Sequence, residues 1–169
     1  MNDPMQMLKA DHREVKKMLT ALGKSDPGPE RVKLVGELDM ALRLHMVIEE
    51  EFVYPLVAED VGEDEEREAN IEHALARETL EKLVAMVDQP GFGAVAEMLA
   101  GGISHHVEEE ETEILPELKA EMTRAEWMEL GDAIAQAKAA AGEPVISRPR
   151  RQASTKRARS AARKPKVSA

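Results

Sequence analysis

Apolar residues fall along this chain in five stretches, each with the three-and-four spacing of a helix that buries one face. The first carries Met5, Leu8, Val15, Leu19 and Leu22 behind Asp3-Pro4, an N-cap aspartate followed by a proline suited to the first helical turn. The Ser25-Asp26-Pro27-Gly28 run ends it. The second begins near Pro29-Glu30 and runs to about Glu59, with Val35, Leu38, Leu42, Phe52 and Leu56 on its seam and a kink expected at Pro55. The third spans roughly Glu65 to Val87 with Ala69, Ala76, Leu80, Leu83 and Val87. The fourth spans about Phe92 to Glu121 with Ala96, Leu99, Ile103, Ile114 and Leu118, and its Gly101-Gly102 pair suggests a close helix contact. Thr123-Arg124-Ala125-Glu126 is a capping box that opens a short fifth helix, about 123–141, and Gly142-Glu143-Pro144 stops it. Four long helices with short connections predict an all-α, antiparallel up-down-up-down four-helix bundle over residues 1–143.

The seams are interrupted by polar side chains. His12 lies in the first, His45 and Glu49 in the second, His73 in the third, His106 and Glu110 in the fourth. A four-residue step puts His45 and Glu49 on one helix face, and a carboxylate in an apolar seam is costly unless a cation compensates it. The pattern also repeats. His12 and His73, His45 and His106, Glu49 and Glu110, and Pro55 and Pro116 are each separated by 61 residues. In an up-down-up-down bundle that offset becomes a pseudo-twofold axis. It would bring His12 and His73 to similar depth, and the two His-Glu pairs likewise.

His105 competes with His106, because Glu109 stands four residues beyond it. The offset favours His106 and Glu110 and leaves His105 facing solvent or behind the site. Glu50, Glu51, Glu108, Glu109 and Glu111 read as a solvated helix face, and Glu113, which aligns with Phe52, as nearer the core. Tyr54 reads first as a packing residue, with a hydrogen bond near the site as its other reading.

Four imidazoles and two carboxylates suit two adjacent transition-metal ions. Iron, manganese, zinc and copper accept this donor set, whereas calcium and magnesium prefer oxygen alone. Six protein ligands over two ions leave open coordination positions.

The residues that carry this pattern are Asp11-His12-Arg13-Glu14, His45-x-x-x-Glu49-Glu50-x-x-x-Tyr54-Pro55, Glu72-His73, and His106-x-x-x-Glu110-Glu111-x-x-x-Leu115-Pro116. With them the chain resembles the hemerythrin-like, or HHE cation-binding, family over about residues 5–120. The resemblance implies a four-helix bundle around a non-haem centre of two iron ions, oxo- or hydroxo-bridged, with manganese or zinc as substitutes. It also implies His12, His45, His73 and His106 as terminal ligands and Glu49 and Glu110 as bridges. One departure is informative. Where oxygen-carrying hemerythrins have a further histidine, one turn past the third-helix histidine, this chain has Arg77. Their last carboxylate is an aspartate at a longer step; here it is Glu110 at four. That pattern moves the expected role from oxygen storage toward sensing, or toward binding or turnover of dioxygen, peroxide or nitric oxide.

Composition adds three constraints. Aromatics are 2% of the chain, so the core must be aliphatic, which favours helices over sheets. There is no cysteine, which removes thiol catalysis and cysteine-bound clusters. No apolar run approaches the ~20 residues of a membrane span, and Met1-Asn2-Asp3-Pro4 does not look like a signal peptide, so a cytoplasmic protein is expected.

The net charge of −10 is unevenly spread. Residues 144–169 hold nine of the 23 lysines and arginines and none of the 33 acids, which leaves the body at −19. That basic stretch reads as a disordered tail that either contacts nucleic acid nonspecifically through phosphates, or associates with the acidic body or serves solubility. The alternative reading makes the protein a helical regulatory or interaction module, whose tail (residues 145–169) binds nucleic acid or an acidic partner and whose metal is structural or sensory.

Overall fold

The structure is a computed structural model that describes residues 2–142; residues 143–169, and with them the basic stretch, lie outside the described residues. Helix α1 is Pro4–Leu22, and Asp3 caps it by accepting from the Gln6 backbone N–H. Helix α2 is Pro29–Ile48, α3 is Tyr54–Asp60, α4 is Glu63–Ala85, α5 is Phe92–Glu109, α6 is Leu115–Glu121 and α7 is Arg124–Ala140. Helices α2 and α3 form one continuous rod, joined by a π-helical turn at Glu49–Val53. Helices α5 and α6 are joined the same way at Glu110–Ile114. The four rods pack in the cyclic order α1, α2, α4, α5, with short turns between successive ones, in the up-down-up-down arrangement.

The two π turns have a common cause. Pro55 and Pro116 have no N–H to continue the α-helical ladder, and each ring would collide with the carbonyl four residues back. The hydrogen bond just before each proline reaches one residue further. Tyr54 N–H bonds the Glu49 carbonyl, and Leu115 N–H bonds the Glu110 carbonyl. The extra residue changes the helical phase. Across the turn and α3 the buried side chains are Val53, Tyr54 and Val57, while Phe52 and Leu56, expected on the seam, are only half-buried. In the other half Ile114 and Leu118 are buried as expected.

Gly101 and Gly102 are exposed, and a methyl group on either would meet nothing, so no close helix contact forms there. The close contact lies at Gly131 on α7, where a Cβ would run into the Asn2 carbonyl. That approach, the Asn2–Asp132 hydrogen bond and the buried Trp127 dock α7 against the start of the bundle. The expected capping box at Thr123 and Glu126 is present. Glu113, expected nearer the core, is exposed.

The apolar interior divides into two. One cluster, built on Val15, Leu19, Leu42, Leu83, Leu99 and Ile103, fills the bundle beyond the imidazole level. The other, built on Leu8, Ile48, Val53, Val57, Leu118, Trp127 and Ile134, fills the end where α3, α6 and α7 meet. The buried histidines and glutamates form a polar layer between them. Among the described residues no helix is long and apolar enough to cross a membrane.

Candidate metal centre

All six side chains that the spacing singled out converge in that polar layer. His12, His45, His73 and His106 are at most 4% exposed, and Glu49 and Glu110 are fully buried. The ring Nε2 atoms point inward. They approach in two pairs, His12 with His45 and His73 with His106, each 3.1 Å apart. Glu49 lies between the pairs: its oxygens stand 3.1 Å from His45, 3.4 Å from His73 and 3.6 Å from His12. Glu110 Oε2 stands 3.3 Å from His12 and 3.5 Å from His106. His105, by contrast, is 63% exposed and lies between Glu72 and Glu109.

These distances fit a metal site better than a hydrogen-bonded core. Both oxygens of Glu49 and Oε2 of Glu110 are buried with no hydrogen-bond partner among the described residues. Buried carboxylate oxygens of native proteins rarely lack a partner, because desolvation penalises them. Here the groups facing them are the imidazole Nε2 atoms, so nitrogen and oxygen donors surround a common point. The donors form two overlapping sets, one of His12, His45, Glu49 and Glu110, the other of His73, His106 and Glu49. Glu49 belongs to both, which is what a bridging carboxylate requires.

Without metal the same geometry holds protons. Burial pulls His12 down, but its close contacts with Glu110 and Glu49 outweigh that and raise it to about 10. Burial likewise pulls His45 down, while the Glu49 charge and nearby Asp11 raise it to about 9. Glu49 is raised by burial and held well below the usual carboxylate range by His45, His12 and His73. Metal must displace these protons, so affinity rises with pH.

Sequence reasoning missed a second layer. Three imidazoles direct Nδ1 at a carboxylate: His12 to Glu111 at 2.8 Å, His73 to Glu50 at 2.9 Å and His106 to Glu72 at 2.8 Å. An Nδ1–H donated outward fixes the tautomer that leaves Nε2 free for a metal. The fourth, His45 Nδ1, stands 3.6 Å from Asp11 and makes no hydrogen bond among the described residues. Glu50 and Glu111, expected on a solvated face, are instead half-buried and hydrogen-bonded to inward histidines. A signal was present: Asp11 and Glu72 are 61 residues apart, as are Glu50 and Glu111. Arg77, in place of the oxygen carriers' extra histidine, clamps both Glu50 oxygens at 2.6 Å.

Tyr54 corrects another expectation. Its hydroxyl donates to Glu110 Oε1 at 3.0 Å and lies 2.9 Å from His73 Nε2, so it faces the centre and is not a packing residue alone. Burial and the Glu110 and Glu49 charges push its phenol well above the ordinary range, so it stays protonated.

On the side away from the carboxylates, the four imidazoles border a cavity of about 10 Å³ walled by Val15, Leu42, Met46, Ile103 and Val107. It has room for about one water-sized molecule and an apolar lining.

Comparison with known proteins agrees with this geometry. No curated protein matches the chain significantly in sequence. Among solved structures it is similar to a hemerythrin HHE cation binding domain-containing protein from Mycobacterium kansasii, with a TM-score of 0.73 and 25% identity. That match covers 84% of this chain and 89% of the other. The family model for the hemerythrin HHE cation binding domain matches residues 3–118, a span that includes all four inward histidines and both buried glutamates. The chain therefore belongs to the hemerythrin HHE cation-binding family.

Proposed function

We propose that this protein is a non-haem di-iron protein that binds or reacts with a small oxygen or nitrogen species, in sensing or in the response to oxidative stress. His12, His45, His73 and His106, with Glu49 and Glu110, would hold the two ions. The observation that carries the assignment is the pair of overlapping donor sets sharing Glu49, with the buried carboxylate oxygens unpartnered. Iron held there would supply open coordination positions and a redox couple at neutral pH.

The protein's own residues set what can reach it. The cavity of about 10 Å³ has room for about one water-sized molecule, which suits the smallest ligands and not an organic substrate. Its apolar wall offers no donor to orient a larger polar ligand. Tyr54 holds a proton at its hydroxyl within hydrogen-bond distance of Glu110, on the face opposite the cavity. Glu50, Glu72 and Glu111 keep three imidazoles from rotating.

Optical spectroscopy of the iron-loaded chain tests the proposal. Peroxide or nitric oxide should change the near-ultraviolet and visible charge-transfer bands, and Val107→Ile, which adds one methylene to the cavity wall, should slow that change. An iron-loaded protein whose spectrum is indifferent to dioxygen, peroxide and nitric oxide would leave the centre a structural one.

A further inference from the structure

Helix α7 begins beyond the 3–118 span that matches the family model, yet it reaches the centre. Its Lys138 is buried and pairs with Asp11 on α1, and Asp11 is the carboxylate that faces His45. Each of the other outer carboxylates also has a second partner. Glu50 has Arg77, Glu111 has Lys9 at 3.5 Å, and Glu72 has His105 at 3.5 Å. Those three partners are 26% to 63% exposed, against 8% for Lys138. A desolvated ion pair acts more strongly than a screened one.

The geometry shows the consequence. Three Nδ1–carboxylate distances are 2.8 to 2.9 Å, and only that of His45 is 3.6 Å. Asp11 gives Oδ1 to Lys138 and leaves Oδ2 out of hydrogen-bonding range of His45. A histidine ligand is a better donor when its other ring nitrogen is hydrogen-bonded to a carboxylate.

We propose that Lys138 is a positioning residue that draws Asp11 away from His45, so that His45 is the weakest-held imidazole and the two metal positions are unequal. The position nearest His12 and His45 releases and takes up its ion first. This rests on the two-ion centre proposed above. It adds that the helix outside the matched domain sets the lability of one ion.

Two measurements on the full chain decide it. In metal-free protein, imidazole NMR of Lys138→Met should show the His45 Nδ1–H proton moved downfield as Asp11 turns to it, with Lys138→Arg close to wild type. An unmoved resonance overturns the proposal, whatever the metal content. In iron-loaded protein, release to a chelator should be biphasic. Lys138→Met should slow the fast phase about tenfold, the lower end of what outer-ligand changes do to metal affinity. A single phase in wild type, or a fast phase unchanged or quickened in Lys138→Met, also overturns it. A wild-type chain that holds fewer than two ions contradicts the di-iron proposal, and the NMR arm still decides the role of Lys138.

Discussion

The 61-residue offset divides the centre into two halves that share a frame and differ in chemistry. Each has an outer acid before its first histidine, a His-x-x-x-Glu pair, a second acid, a π turn and a proline. The halves part at two places. Tyr54 in the first corresponds to Leu115 in the second, so a phenol reaches across to His73, His106 and Glu110, and among the described residues no phenol faces His12 and His45. Asp11 in the first answers to a buried lysine, whereas Glu72 in the second answers to an exposed imidazole. The shared residues define a place for two cations. The unshared ones give each cation a different setting.

The largest effect should come from breaking what the halves share. Glu49 touches both imidazole pairs, so Glu49→Ala should lose bound metal and destabilise the fold by about 3–5 kcal/mol, the usual cost of removing one partner from a buried charge cluster. Metal content and thermal unfolding check this together. Glu110→Ala should resemble it, and would also remove the carboxylate to which the Tyr54 hydroxyl donates.

Acidity should act next, through the first half. Without metal, His12 at about 10 and His45 at about 9 both lie above their ordinary 6.5. A raised histidine favours the folded state while it is protonated. That stabilisation is complete below pH 6.5 and is lost as pH rises through 9 to 10. Glu49, depressed, contributes above its ordinary 4.5 and loses that contribution only on acidification. The melting temperature of metal-free protein should therefore fall between pH 6.5 and 10, and bound metal, which replaces the protons, should abolish the fall.

A smaller effect separates the halves directly. Tyr54→Phe removes a hydrogen bond to a charged acceptor, so it should cost about 1.5–3 kcal/mol and alter the charge-transfer spectrum of the iron-loaded chain. Leu115→Met should cost under about 1.5 kcal/mol and leave the spectrum as it was. Smallest of all, removing residues 145–169 should leave metal content and spectrum unchanged. Any salt-sensitive nucleic acid binding should be lost with those nine positive charges.

Much of this was legible in the sequence, because the seam and the offset are both properties of residue order. Helical periodicity located the helices, and polar residues standing in an apolar seam had to be explained by something buried with them. What escaped depended on phase and reach. A 3.6-residue period cannot foresee the residue that Pro55 adds to the helix, so Phe52 and Leu56 were placed where Val53 and Val57 stand. Glu50 and Glu111 flank the seam, and only the packed bundle shows them reaching a histidine of another helix. Tyr54 sat next to a proline in a predicted kink, and the π turn is what aims its hydroxyl inward.

Metal content is the most direct test of the centre. Full-length protein reconstituted with ferrous iron in air should hold about two iron ions per chain, the number this donor set suits, with near-ultraviolet ligand-to-iron charge-transfer absorption. Less than one metal ion per chain, with any transition metal offered, would contradict the account.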